Sequence, residues 1–200
     1  MLRSIWLLVT AVWFLATSGC SATVYQPRLQ SDSVPVYIAD YGRHSSLVLP
    51  VQTGGYVEWA FSDWNWHALG NTTSNSALFS LIGSPQSTLG RRVIPPQPDP
   101  RHLEIELHCK RLLSVYVPEA RVNALMDELD RRYLIHGATQ IYSSYSNLDH
   151  VKDDEHYWLL NNCNHLTVRW LKQLGCRVDG MGIQSGFKVV DNESLFGRLR

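Results

Sequence analysis

Residues 161–175 of the chain have the sequence NNCNHLTVRWLKQLG. Its apolar side chains recur at helical spacing, on the side that also carries Cys163: Leu166, Trp170, Leu171 and Leu174. Asparagine favours the N-cap of a helix and glycine favours its C-terminal end. The pattern therefore predicts an amphipathic helix that opens at Asn161 or Asn162 and ends near Gly175.

Cys163 falls in the first turn of this predicted helix. Unpaired backbone amides and the helix dipole favour a thiolate at that position, which is one way to make a cysteine nucleophilic. A free cysteine also behaves as a small hydrophobic residue, so packing against a sheet is the alternative role. His165 lies two positions further on and faces another side, which assigns it to packing or capping.

Upstream, the sequence predicts a short strand at 36–39 and a hairpin formed by 44–49 and 56–61, with a turn at 52–55. His44 stands at the open end of this hairpin and is the candidate base for Cys163. If the hairpin folds about Thr53 and Gly54, Asp63 falls opposite His44 and could orient its ring. Glu58 is the competing carboxylate, although this register places it nearer the turn, opposite Leu49 or Pro50.

The middle of the chain combines both kinds of element. The alternation in residues 103–107 predicts a strand, and 112–117 resembles its partner strand. From Pro118 the apolar spacing becomes helical and continues to Gly137. Spacing and caps therefore predict an order of elements with the His44 strand first and the Cys163 helix last.

Three stretches together resemble a bacterial family of uncharacterised proteins first noted near urease genes: HSSLVLP at 44–50, WAFSDW at 59–64 with Trp66 beyond it, and NCNHLTVRWLKQLG at 162–175. The helix start also resembles that of the lecithin retinol acyltransferase group, circularly permuted relatives of NlpC-type papain-like thiol hydrolases. The resemblance spans about residues 36–180. It departs from the family where Ala60-Phe61-Ser62 replaces Gly-Trp-Gly and where His165-Leu166 replaces Thr-Trp.

This resemblance implies an α+β fold with a permuted papain-like (NlpC-type) core, in which the Cys helix packs on an antiparallel sheet that presents the histidine. It further implies that Cys163 attacks an acyl carbon, His44 carries the proton and Asp63 orients His44, with Glu58 as the open alternative. The Cys163 backbone amide could help to hold the oxyanion.

The N-terminus has the layout of a lipoprotein signal peptide. Arg3 precedes an apolar run at 5–16, and small residues lead to Cys20. This run is shorter than the roughly 20 residues that a spanning helix needs. We expect a signal peptide at 1–19, a lipid on Cys20, a tether at 20–34 and one domain at 35–200. Ser21 favours the outer membrane facing the periplasm, although sorting to the inner membrane stays open.

Composition restricts the partners. Eighteen basic and eighteen acidic residues give no net charge, which argues against a nucleic-acid partner. Cys109, Cys163 and Cys176 remain after lipidation of Cys20, and Cys109 with Cys176 is one conceivable disulfide. A metal site of Cys163, His165 and His44 lacks further zinc ligands at recognisable spacing, so we expect no metal and no cofactor.

These features lead to two functional hypotheses. The first is a membrane-anchored thiol hydrolase or acyltransferase of the cell envelope, acting on an amide, ester or thioester. Peptidoglycan peptides are the most natural substrate for that location, and lipid acyl groups are equally allowed by the chemistry. The second is a non-catalytic envelope lipoprotein that uses the same scaffold for binding or structure.

Overall fold

The computed structural model describes residues 21–73, 84, 86–180, 182 and 185–190. The predicted signal peptide and the lipidation residue Cys20 lie outside this described part. The fold is α+β, with a mostly antiparallel sheet and few helices. None of the described helices has the length and apolar content to cross a bilayer.

The main sheet has seven strands in the order β6-β2-β3-β4-β5-β8-β7, and all its neighbours are antiparallel. Its strands are β2 (Ser33–Asp40), β3 (Ser45–Pro50), β4 (Tyr56–Asp63), β5 (Ser87–Ile94), β6 (Arg111–Pro118), β7 (Ile141–Ser143) and β8 (Leu148–Asp153). A smaller sheet places β1 (Thr23–Tyr25) between β9 (Arg177–Asp179) and β10 (Lys188–Val190).

The helices are α1 (Pro100–Leu107), α2 (Glu119–Ile135) and α3 (Cys163–Gln173). A short π-helix (Trp64–Ala68) follows β4, and a 3-10 turn (Gly137–Thr139) follows α2. Helices α2 and α3 match the predictions for the two amphipathic segments, because in each the apolar stripe is buried. The prediction that Asn162 begins the last helix is confirmed, since it is the N-cap of α3.

The main sheet separates two apolar clusters. The larger cluster packs one face of the sheet against α2, α3 and the small sheet, and includes Leu47, Trp59, Leu129 and Trp170. The smaller cluster packs the other face against α1 through Leu103 and Leu107. Alternating strand residues therefore reach different cores, which fixes the register of each strand.

The β3–β4 hairpin confirms the predicted strands but not their predicted register. Glu58 pairs with Val48, and continuing this ladder places Ser62, not Asp63, opposite His44. The turn differs from the one assumed because Gly54 N–H donates to the Val51 carbonyl and Val51 N–H donates to the Gly55 carbonyl. Gly55 has a φ of +86°, and a Cβ there would lie 2.5 Å from the Ile94 carbonyl oxygen, so the turn requires glycine.

The strand predicted at 103–107 is wrong, because these residues belong to α1. Asp99 caps the helix by accepting from the His102 N–H at 2.9 Å, and Pro100 occupies its first turn. Leu103 and Leu107 are four residues apart and share the buried face, whereas Ile105 is 62% exposed. Alternation over five residues fits a short helix as well as a strand, and the cap decides between them.

Two further predictions are corrected by the strand pairing. Strand β6 pairs along its whole length with β2 and not with residues 103–107. The predicted tether at 20–34 contains β1, whose Val24 is fully buried, as is Ala22 before it. The segment therefore packs onto the domain through apolar side chains instead of spacing it from an anchor.

Candidate active site

A cavity of about 610 Å³ lies where β3 and α3 begin. Its lining combines groups from the hairpin end, the π-helix and the residues beside α3, among them His44, Asp63, His67, Tyr157 and Cys163. The predicted cysteine and histidine therefore line one cavity. A volume in this range is typical of pockets for small molecules or short chain segments.

Cys163 is the first residue of α3 and is held there by its N-cap. The Asn162 side-chain oxygen accepts from the backbone N–H groups of Asn164 at 3.0 Å and His165 at 3.2 Å. His165 also places its ring Nδ1 3.1 Å from the same oxygen. His165 thus takes part in capping, on the flank of the helix start.

The thiol of Cys163 is only 4% exposed. Burial raises its pKa, although hydrogen bonds from the Ser45 backbone and the Tyr157 hydroxyl act in the opposite direction. The Tyr157 hydroxyl lies 3.9 Å from the sulfur. Since burial outweighs these donors, the resting thiol is protonated at neutral pH.

Ser45 connects the beginning of β3 to α3. Its hydroxyl donates to the Asn164 side-chain oxygen at 2.8 Å and lies 3.0 Å from the Thr167 hydroxyl. Thr167 in turn donates to the Cys163 carbonyl at 3.0 Å. Because Ser45 directly follows His44 and its backbone N–H reaches the Cys163 sulfur, the backbone at His44 is close to the thiol.

His44 has a ring that is largely enclosed. Its centroid lies 4.9 Å from that of His67 and 5.9 Å from that of Tyr41. Its Nδ1 is buried and has no hydrogen-bond partner among the described residues. Burial lowers the pKa of His44 to about 4, so the imidazole is neutral at neutral pH. No hydrogen bond joins this ring to the Cys163 thiol within the described part of the chain.

The two predicted carboxylates both line the cavity, but among the described residues neither is hydrogen-bonded to His44. Asp63 is the N-cap of the π-helix and accepts from the Trp66 N–H at 2.7 Å. Glu58 accepts two hydrogen bonds from Arg92, at 2.7 and 3.0 Å, and one from Tyr41 at 2.6 Å. Five positions separate Glu58 from Asp63 on β4, so the two side chains point to opposite faces of the sheet, and Glu58 faces the smaller core. The predicted orienting role of Asp63 has no contact to support it.

His67 is a cavity residue that sequence reasoning missed. It lies on the π-helix, where a histidine after two tryptophans gives no recognisable motif. Its Nδ1 is also buried without a hydrogen-bond partner among the described residues. Burial, together with His44 and His150, lowers its pKa well below the ordinary value.

His150 is a second missed histidine and is fully buried on β8. Thr88 donates its hydroxyl proton to the Val151 carbonyl at 2.7 Å, so His150 Nδ1, 3.1 Å from that hydroxyl, must be the donor. Its Nε2, 2.7 Å away, then accepts from Ser146. Burial lowers the pKa of His150 to about 4, assisted by the nearby His44.

The remaining cysteines lie away from the cavity. Cys176 packs in the larger core and Cys109 against the smaller one, on opposite faces of the sheet, and both are free thiols. The conceivable disulfide between them is therefore not formed. Within the described residues, no three histidine, cysteine or acidic side chains are grouped as metal ligands.

Comparison with known proteins gave no match: no protein-family model, curated protein or solved structure matches the chain. The resemblance to the urease-region family and to the permuted NlpC-type hydrolases therefore rests on the quoted sequence stretches and stays a prediction.

Proposed function

We propose that the protein is a lipid-anchored thiol hydrolase or acyltransferase of the cell envelope, built on a permuted papain-like core. Cys163 is the nucleophile and His44 the base. One observation carries the proposal: Cys163 at the start of α3 and His44 at the start of β3 line the same cavity. The lipid on Cys20 and a location at the outer membrane facing the periplasm belong to the proposal as sequence-based expectations.

The proposed reaction is an acyl transfer in two steps. As the Cys163 sulfur attacks the acyl carbon, its proton passes to the His44 ring, and a carbon–sulfur bond forms while the carbonyl becomes an oxyanion. The Cys163 backbone N–H belongs to the first helical turn and is a donor for that oxyanion. His44 then protonates the leaving amine or alcohol, which leaves a thioester. Water, or an acceptor hydroxyl or amine, attacks this thioester and completes hydrolysis or transfer.

The protonation states favour a neutral thiol and imidazole before substrate binds. Burial raises the pKa of Cys163 and lowers that of His44, so both shifts oppose a thiolate–imidazolium pair at rest. The ring of His44 must also turn toward the sulfur, because the two are not hydrogen-bonded at rest. Proton transfer during attack, instead of a preformed ion pair, is the mechanism consistent with these shifts.

The second candidate is a non-catalytic envelope lipoprotein. The buried thiol, together with the absence of a hydrogen bond from it to the His44 ring among the described residues, favours this alternative. In such a protein the cavity would bind a peptide or an acyl group without chemistry.

The deciding experiment follows acylation of Cys163 by a thioester reporter, with the modified peptide identified by mass spectrometry. The catalytic proposal expects acylation of wild-type Cys163, strong loss in His44→Ala, and no turnover in Cys163→Ala. His165→Ala is the matched control, because His165 is a histidine near Cys163 that takes part in capping. A Cys163→Ala protein with full turnover would exclude Cys163 as nucleophile.

Iodoacetamide alkylation of Cys163 against pH gives an independent test in the absence of substrate. The catalytic proposal expects the rate to fall in His44→Ala at pH values below the pKa of the thiol, where alkylation needs a base. Slow alkylation that is indifferent to His44 favours the binding protein. Reading the alkylated peptides separately removes the contributions of Cys109 and Cys176.

A further inference from the structure

The segment before α3 forms a tight turn with an exposed apolar tip. Asn161 N–H donates to the Trp158 carbonyl at 2.9 Å, and Trp158 N–H donates to the Asn161 carbonyl at 3.2 Å. Trp158, Leu159 and Leu160 are 42%, 44% and 50% exposed. The centre of a tight turn usually carries glycine, proline, asparagine or aspartate, so two leucines there are unusual. We name residues 158–160 the apolar tip.

The apolar tip is fixed beside the cavity. The Asn162 side-chain amide donates to the Leu159 carbonyl at 3.0 Å, which ties the tip to the N-cap of α3. Tyr157, directly before the tip, lines the cavity and reaches the Cys163 sulfur. The tip therefore projects from the same end of α3 as the thiol.

The N-terminal chain joins the domain at this end as well. Ser21 is the first described residue, and its backbone packs against Gly180. Gly182 in turn lies against the first turn of α3, where an added Cβ would be 3.4 Å from the Asn164 carbonyl oxygen. Two residues of chain span at most about 7.6 Å, so Ser21 lies on the side of the first two turns of α3, where Gly182 meets Asn164 and Val168.

We infer that the apolar tip docks on the surface of a lipid bilayer. Cys20, the proposed lipidation site, directly precedes Ser21, which points to a membrane at the end of the molecule where the tip projects. Tryptophan favours the membrane interface, and leucine favours insertion below it. With no net charge on the chain, apolar insertion is the expected attraction, so the partner is a phospholipid bilayer and need not be anionic.

The inference rests on the membrane attachment in the proposed function and is independent of thiol chemistry. An interfacial apolar face inserts about 5–10 Å into the headgroup boundary, so docking of the tip would bring the neighbouring cavity close to the headgroup region. Substrates that lie in or on the bilayer would then meet Cys163 directly.

Fluorescence of Trp158 tests this inference in the full chain. The protein is reconstituted in phosphatidylcholine vesicles that contain lipids brominated near the headgroup end of their acyl chains. Subtracting the signal of Trp158→Phe, which keeps an aromatic ring, isolates Trp158 from the other tryptophans. We expect the Trp158 signal to be quenched by the brominated lipid and shielded from iodide in the water.

A paired substitution supplies the comparison. Leu159→Ser with Leu160→Ser should reduce the bromine quenching of Trp158, and since both side chains are exposed the fold should persist. The matched control is Leu134→Ser with Ile135→Ser, an exposed apolar pair at the end of α2 that is 74% and 71% exposed. This control should leave the quenching unchanged.

Three outcomes would overturn the inference. In the first, Trp158 is quenched by iodide and not by the brominated lipid, although the chain cosediments with the vesicles. This result rejects docking of the apolar tip on the bilayer and leaves the proposed lipid anchor unaffected. In the second, the Trp158 emission is already blue-shifted without lipid and depends on protein concentration, which identifies a second copy as the occupant. In the third, the chain fails to cosediment, which rejects the membrane attachment itself.

Discussion

The ring of His67 lies 4.9 Å from the ring of His44, with their planes tilted by 36°. The two rings pack against each other. The Nδ1 atom of each ring is buried and has no hydrogen-bond partner among the described residues. His67, instead of the predicted Asp63, is thus the side chain that shapes the surroundings of the proposed base.

Replacing His67 by alanine should raise the pKa of His44 from about 4 toward its ordinary value of about 6.5, because water would reach the ring. An NMR pH titration of the His44 ring protons measures this change, with assignment by His44→Gln. His67→Phe is the control, since it keeps a ring of similar size over His44. An unchanged pKa in His67→Ala would show that His67 does not enclose His44.

Asp63→Ala should lower the free energy of unfolding by about 1 kcal/mol, which is typical for loss of a helix N-cap. The carboxylate caps the π-helix through the Trp66 N–H and makes no hydrogen bond to His44. We therefore expect urea unfolding to shift while the pH dependence of Cys163 alkylation stays the same. Asp63→Asn retains an acceptor and should unfold nearly as the wild type does. A changed pH profile would restore the orienting role predicted for Asp63.

Glu58→Gln should destabilise the fold by about 3 kcal/mol, because it leaves the Arg92 guanidinium without its charged partner. The Arg92 side chain is 12% exposed, so water compensates for little of this loss. Thermal and urea unfolding measure the change. Glu106→Gln, at an exposed position of α1, is the matched control and should stay within about 0.5 kcal/mol of the wild type. Equal stability of both variants would contradict the inferred role of the buried pair.

Stability should fall as the pH drops from about 6.5 to about 4, where His44 and His150 acquire protons in the folded state. Their pKa values are lowered by folding, so the unfolded chain takes up protons first and is favoured by acid. Each such histidine contributes a slope of about 1.4 kcal/mol per pH unit. Urea unfolding at several pH values measures this slope, and His150→Gln should reduce it. A flat profile above pH 4 would contradict the buried neutral histidines.

The elements that the sequence predicted correctly carry their signals locally. The Asn162 side-chain oxygen caps α3 by accepting from the N–H groups of Asn164 and His165, and the apolar stripe of the helix follows at helical spacing. The start of α2 after Pro118 was likewise predicted from signals in neighbouring residues. Cys163 and His44 were placed on the correct elements for this reason.

The incorrect predictions depended on contacts between distant residues. The spacing of Leu103 and Leu107 fits both a strand and a helix. In the fold they lie on a helix and pack against the smaller apolar cluster, to which β2 and β3 contribute side chains. The hairpin register depended on the turn at Gly54 and Gly55, where a slip of one residue exchanges the faces of the sheet. His150 comes close to His44 because β5 pairs with β8, and His67 does so because it lies on the π-helix. No short sequence motif predicts either element.

The hydrogen bond from Ser45 to Asn164 spans 119 positions of the sequence. A chain is synthesised from its N-terminus, so His44 exists long before Cys163 is added, and the wall that encloses both cannot close until α3 docks on β3. Contacts of this range form late and slowly. The thiol therefore acquires its surroundings only in the compartment where the chain is completed and folded, and any fragment that ends before α3 lacks a reactive centre.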